Sequence, residues 1–292
     1  MPHRVFSPSR LGAITANTLT ELTRQKVFYV LLVFALVLIG SSLFMARLTF
    51  QQEFQVLKDI SLGAMSIFLS LLAIVATARL LPQDVEDRTL YTILAKPVPR
   101  FEYIAGRLLG VLLLLAISAA LMSLLFFAVL YLRQQSAIAE TLRQFAGQPQ
   151  GAVTEAVTTV RAATFNTNLL PGIAVIYLKA CVLASLTLFV STFATTNIFT
   201  VFVTVVVYFI GHLQGIAREF WLQESAGGWL SRTFLALVAL LFPDLQLFNL
   251  ADEIIAGGAI PIAVFGKTLA LGGFYIVLYL LLATAVFIGK EL

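Results

Sequence analysis

Six stretches of this chain carry almost no charge over a length that matches the hydrocarbon thickness of a bilayer. They are residues 27–46, 61–78, 108–132, 172–193, 198–215 and 268–288. A helix needs about 20 apolar residues to cross a core of about 30 Å. Water could not solvate a fold with so much apolar surface. Hydrophobic residues make up 60% of the chain and charged residues 12%, against about 45–50% and about 25% in soluble domains. The composition excludes a soluble enzyme, a disordered chain and a nucleic-acid binder. It predicts an all-α polytopic membrane protein, one transmembrane domain over residues 1–292.

The fifth span follows the fourth after Thr195, Thr196 and Asn197, a polar turn that predicts a tight helical hairpin. Residues 230–242 are apolar but too short to span, at roughly 20 Å as a helix. Arg232 lies near one end and Pro243-Asp244 closes the other. This segment reads as a re-entrant or interfacial helix before the last span.

Basic residues set the orientation. Arg4, Arg10, Arg24 and Lys26 precede the first span, whereas the next loop has only Arg47 and Lys58. The loop between spans two and three carries Arg79, Arg88, Lys96, Arg100 and Arg107. Both chain ends are therefore expected in the cytoplasm of a multi-pass plasma (inner) membrane protein. The first span reads as a retained signal anchor rather than a cleaved leader. Leu11, Ile14, Thr18 and Leu22 share one helical side, which predicts an amphipathic helix on the inner leaflet. The outer loop 133–170 is expected to hold a short helix near 137–145 and a break at 147–151.

Several chemistries lack their residues. One cysteine, Cys181, gives no internal disulfide and no thiolate metal cluster. No acidic residue falls mid-span, which argues against ion-coupled secondary transport. His3 and His212 form no paired site with a nucleophile, and no metal site or directly bound cofactor is expected. Gly266-Lys267-Thr268 resembles the end of a phosphate-binding loop, but the glycine required five positions earlier is Pro261. Any ATP and Mg must then be used by a partner, and the chain itself is no enzyme. Lys179 is the one basic residue inside a span, read as snorkelling to the outer interface or facing an anionic substrate. With Ser66, Ser70, Ser185, Thr204, Tyr208 and His212 it forms a candidate pathway lining; interhelical hydrogen bonding is the commoner use of such hydroxyls.

Between spans two and three, segment 82–100 reads PQDVEDRTLYTILAKPVPR. Asp84 to Leu94 predicts an amphipathic helix with its acids at the N-terminal, dipole-positive end, stopped by Pro97 and Pro99. Such a short helix on the cytoplasmic side suits docking of a soluble partner.

The run from Glu86-Asp87-Arg88-Thr89-Leu90 through Leu94-Ala95-Lys96-Pro97-Val98-Pro99-Arg100, then Gly106-Arg107-Leu108-Leu109-Gly110, resembles the coupling-helix region of type-2 ABC transporter permeases. The branch it resembles includes the nitrous-oxide-reductase copper-maturation and gliding-motility permeases. Arg88 stands where many members have Gly, and Arg107 where many have Lys. The resemblance implies a permease subunit, paired as a homo- or heterodimer with a second permease copy among membrane lipids. It also implies separate ABC ATP-binding subunits. These would dock on Asp84, Glu86, Arg88, Leu90, Ile93, Leu94, Pro97 and Arg100. A hydrophobic or lipid-like export cargo suits the Leu/Phe/Val-rich spans. The alternative is a membrane scaffold that passes ATPase motion to an extracytoplasmic accessory protein.

Overall fold

The computed structural model describes residues 7–46, 53–86, 99–166, 168–223, 242–249 and 261–289. Among the described residues every regular element is helical: α1 (Pro8–Thr23), α2 (Lys26–Ala46), α3 (Glu53–Ala78), α4 (Leu80–Glu86), α5 (Arg100–Gln144), α6 (Gln150–Thr164), α7 (Leu169–Phe193), α8 (Asn197–Gln223), a 3-10 turn Leu245–Phe248 and α9 (Ile262–Gly289). Among the described residues six helices are long and apolar enough to cross a membrane. The protein is an all-α polytopic membrane protein. α1 and the end of α9 both meet the start of α5, through Arg10–Glu102 and Arg100–Phe287, on what is called here the terminal side.

The helices outrun the apolar stretches that define the spans. α5 has 45 residues, or roughly 67 Å, about twice the hydrocarbon thickness. Its first two turns precede the apolar run at Leu108, and its last turns project beyond the far side. The expected separate helix near 137–145 is the end of α5 itself, because no helix breaker interrupts Arg133–Gln144. The break falls at 145–149, where Gly147 takes a φ of 96° that favours glycine. α6, which the loop reading did not anticipate, follows. The expected hairpin forms: α7 ends at Phe193 and α8 begins at Asn197. Thr196 Oγ1 accepts the Phe199 N–H at 3.3 Å, capping the new helix.

α7 is the centre of the bundle. It is apolar on all sides and packs against α3, α5, α8, α9 and the 3-10 turn, as a helix without a polar face must. Gly272 of α9 lets Leu178 of α7 come close; a Cβ there would lie 2.6 Å from Leu178 Cδ2. On the far side, Lys58 Nζ donates to the Ala163 carbonyl at 2.7 Å, closing the C-terminal end of α6. Arg133 Nε donates to Glu53 at 3.0 Å, tying α5 to α3.

The amphipathic side of α1 faces protein rather than lipid headgroups. Thr15, Thr18 and Leu22 are buried, and α1 lies along the start of α5. The close approach needs Gly106 and Gly110: a Cβ would sit 2.7 Å from Ile14 Cγ2 at the first and 2.6 Å from Thr18 Cβ at the second. Small residues four apart are the usual device for such close helix contacts in membranes. Residues 230–241, most of the expected re-entrant helix, lie outside the described residues. Its end is described: Gln214 donates to the Phe242 carbonyl at 3.2 Å, and Gly211 of α8 takes Pro243 and Leu245 against its backbone.

Candidate functional site

Two polar clusters stand out, one at the terminal side and one inside the bundle. The first is built on Arg107, which is 4% exposed. Its Nη2 donates to both carboxylate oxygens of Asp84, which is 6% exposed. Its Nη1 donates to Glu21 Oε2 at 2.6 Å and lies 3.5 Å from Thr18 Oγ1. The Tyr103 hydroxyl donates to Asp84, and the Arg107 guanidinium lies 5.7 Å from the Tyr103 ring centroid. A buried guanidinium and two carboxylates therefore satisfy one another, which charges out of water require.

A second ring of contacts surrounds it. Glu102, in the first turn of α5, accepts from Arg10 Nε at 2.9 Å, Arg10 Nη2 at 3.1 Å and the Ser7 N–H at 2.9 Å. These donors, Arg10 first, hold its carboxyl below the usual carboxylate range against the opposing effect of burial. Arg100 Nη1 donates to the carbonyls of Phe287 at 3.0 Å and Ile288 at 2.6 Å. These are the unsatisfied carbonyls at the end of α9, where a cation also meets the negative end of the helix dipole. Tyr103 stacks on Phe287 with centroids 5.8 Å apart. One cluster thus joins α1, α4, α5 and α9.

The expected docking residues divide. Arg88, Leu90, Ile93, Leu94 and Pro97 lie outside the described residues. Asp84 is turned inward onto Arg107 and Tyr103, and Arg100 is engaged on α9. Glu86 is exposed. The helix that carries Asp84 starts earlier than the sequence predicts, at Leu80. Asp84 and Arg100, the described residues on either side of segment 87–98, thus belong to the same cluster.

The second cluster corrects the snorkelling reading of Lys179. The side chain is 3% exposed and lies between helices. Nζ donates to Ser66 Oγ of α3 at 2.9 Å and approaches His212 Nε2 of α8 at 3.4 Å. It also lies 5.7 Å from the Tyr208 ring centroid. His212 Nδ1 is 2.9 Å from the Tyr208 carbonyl, an acceptor, so Nδ1 carries the proton and Nε2 accepts from the lysine. Ser70, beside Tyr208, donates to the Ser66 carbonyl at 2.7 Å. Of the candidate lining, the structure brings Ser66, Ser70, Lys179, Tyr208 and His212 together. Ser185 and Thr204 instead donate to carbonyls of their own helices, at Val182 and Thr200, each at 2.8 Å. Among the described residues no three His, Cys, Asp or Glu side chains stand together as a metal site.

Sequence reasoning missed Tyr103, Glu21 and the Arg10–Glu102 pair, whose partners are distant in the chain. The Gly106–Gly110 spacing was a signal for close packing and could have been used.

A family model described as ABC-2 family transporter protein matches residues 13–292. No curated protein matches the chain.

Proposed function

The chain belongs to the ABC-2 transporter family, and we propose that it is the permease subunit of an ABC transporter driven by a separate ATP-binding subunit docked on segment 84–94. Two permease copies and two ATPases form the assembly, in the inner membrane with both permease ends cytoplasmic. ATP and Mg are used by the partner. The cargo is hydrophobic or lipid-like and is exported.

The observation that supports the coupling role is the seating of Asp84 and Arg100, which flank segment 87–98 in the chain, within one cluster. A displacement of this segment pulls on Asp84 and on Arg100. Asp84 is tied through Arg107 to α1 and α5, and Arg100 to the end of α9. A push from the ATPase is thereby delivered to several helices at once. Such coupling needs contacts that differ between the two nucleotide states of the partner.

A second reading, the scaffold, draws support from the far side. There α6 and the projecting end of α5 offer exposed surface, held by Lys58 and Arg133, on which an extracytoplasmic protein could receive the same motion.

The test is the double variant Glu86→Arg with Leu90→Asp. It is expected to insert and purify as the wild type does but to lose the co-purifying ATPase. Undiminished co-purification contradicts docking on this segment.

A further inference from the structure

Helices α3 and α8 meet along a seam that carries basic groups at two depths. At the terminal side, where α3 ends and α8 begins, a cavity of about 580 Å³ lies between Val75 of α3, Arg79 in the turn just past its end, and Asn197, Val201 and Phe202 of α8. Its volume is in the range of ligand pockets, about 300–1,000 Å³. Phe202 is 67% exposed, so the cavity opens sideways toward lipid. Among the described residues no carboxylate pairs with Arg79. Asn197 Oδ1 is buried with no hydrogen-bond partner.

Further along the seam stand Ser70 and Ser66 on α3 and Tyr208 and His212 on α8, with Lys179 reaching in from α7. Ser66 lies roughly 20 Å along α3 from Arg79. Among the described residues Lys179 too has no carboxylate partner. An ionisable group kept inside a membrane bundle without a counter-charge is costly and calls for a reason.

We propose that the α3–α8 seam binds an anionic amphiphile, one molecule with a carboxylate or phosphate head on an apolar chain. Its head enters at Arg79 and advances to Lys179, while its tail stays in lipid beside Phe202. A neutral cargo would need neither cation, and a cationic one would be repelled by both. Beyond the apolar lining of the cavity, Ser70 and Ser66 of α3 and Tyr208 of α8 are the polar groups that the head meets before Lys179. This assignment rests on the transporter reading and narrows its cargo to anions.

The experiment uses the full chain in mild detergent with labelled dodecyl phosphate carrying a photoreactive group next to the head. Saturable binding is expected, displaced by laurate but neither by dodecanol nor by inorganic phosphate. Arg79→Gln should weaken it at least tenfold. Crosslinks should map to two regions of α8, 197–205 and 208–212. Lys179→Gln should remove the second and leave the first, and Lys179→Arg should keep both. Equal displacement by dodecanol, wild-type binding by Arg79→Gln, or crosslinks unchanged in Lys179→Gln would overturn the proposal. Variants are compared only at wild-type thermal midpoint; Lys179→Arg without the second crosslink at that midpoint also overturns it. A failure here leaves ATPase co-purification untouched, so the two readings fail separately.

Discussion

Asp84, near the end of α4, and Arg107, near the start of α5, form a buried ion pair in which one guanidinium nitrogen reaches both carboxylate oxygens. Glu21 of α1 shares the same guanidinium. Removing the cation leaves the buried Asp84 carboxylate without its charge partner, beside the half-exposed Glu21. Breaking one side of a buried pair costs about 3–5 kcal/mol, whereas replacing both partners by apolar groups is often neutral. Arg107→Leu should therefore lower the thermal midpoint in detergent sharply. Asp84→Asn should lower it less, because Glu21 still balances the arginine. The double variant Asp84→Leu with Arg107→Leu should regain part of the loss. A neutral Arg107→Leu would contradict this account of the cluster.

The approach of α1 to α5 depends on two glycines. Gly110→Leu places side-chain atoms where Thr18 now sits, so α1 should detach. Hydrogen exchange should accelerate in residues 8–23 and little elsewhere. The control is Gly63→Ala, where a Cβ meets nothing within 4 Å. Relieving the helix of a glycine there should stabilise by about 0.5–1 kcal/mol. Equal effects of the two substitutions would remove the packing argument.

Acid should loosen the same helix. The Glu102 carboxyl sits below its unfolded value of about 4.3 because Arg10 and the Ser7 N–H favour the charged form. A group depressed in the folded state contributes stability above its unfolded pKa. That contribution is lost as pH falls through the folded pKa. Protection of α1 should accordingly decline as pH drops below about 4.3. Glu102→Gln should start lower and show a flatter profile, and identical profiles would discount the pair.

On the far side, Lys58→Met should uncap α6. The Ala163 carbonyl loses a charged donor, a contact worth about 1.5–3 kcal/mol. Exchange should rise within 150–164 while the spans stay protected. Unchanged α6 protection would mean that the helix is held by other contacts.

The spans were legible because each is a long apolar run and little else can be done with such a run. Their ends were not. Polar residues such as Gln135 and Gln144 continue α5 as well as leucines do once water can solvate them, so hydropathy stops where the helix does not. The tight turn at 195–196 was legible from its polar residues. α6 was missed although Val153, Val157 and Val160 recur at helical spacing. The terminal-side cluster was half legible. Segment 82–100 is marked in the sequence by its amphipathic pattern and its resemblance to a coupling helix, and Arg107 follows it in the Gly-Arg start of the third span. The pairing of Arg107 with Asp84 and Glu21 is a property of the fold, made by helices distant in sequence. Lys179 shows the same limit: a lone lysine in an apolar run does not reveal that Ser66 and His212 wait on two other helices.

The central claim is that this chain moves under the action of a separate ATPase. The most direct measurement is to isolate the tagged protein from its native membrane in mild detergent and identify by mass spectrometry what accompanies it. The account predicts a stoichiometric subunit with an intact phosphate-binding loop, retained when Glu86 and Leu90 are wild type. Recovery of the permease without any such ATPase, across several detergents and with crosslinking, would contradict it.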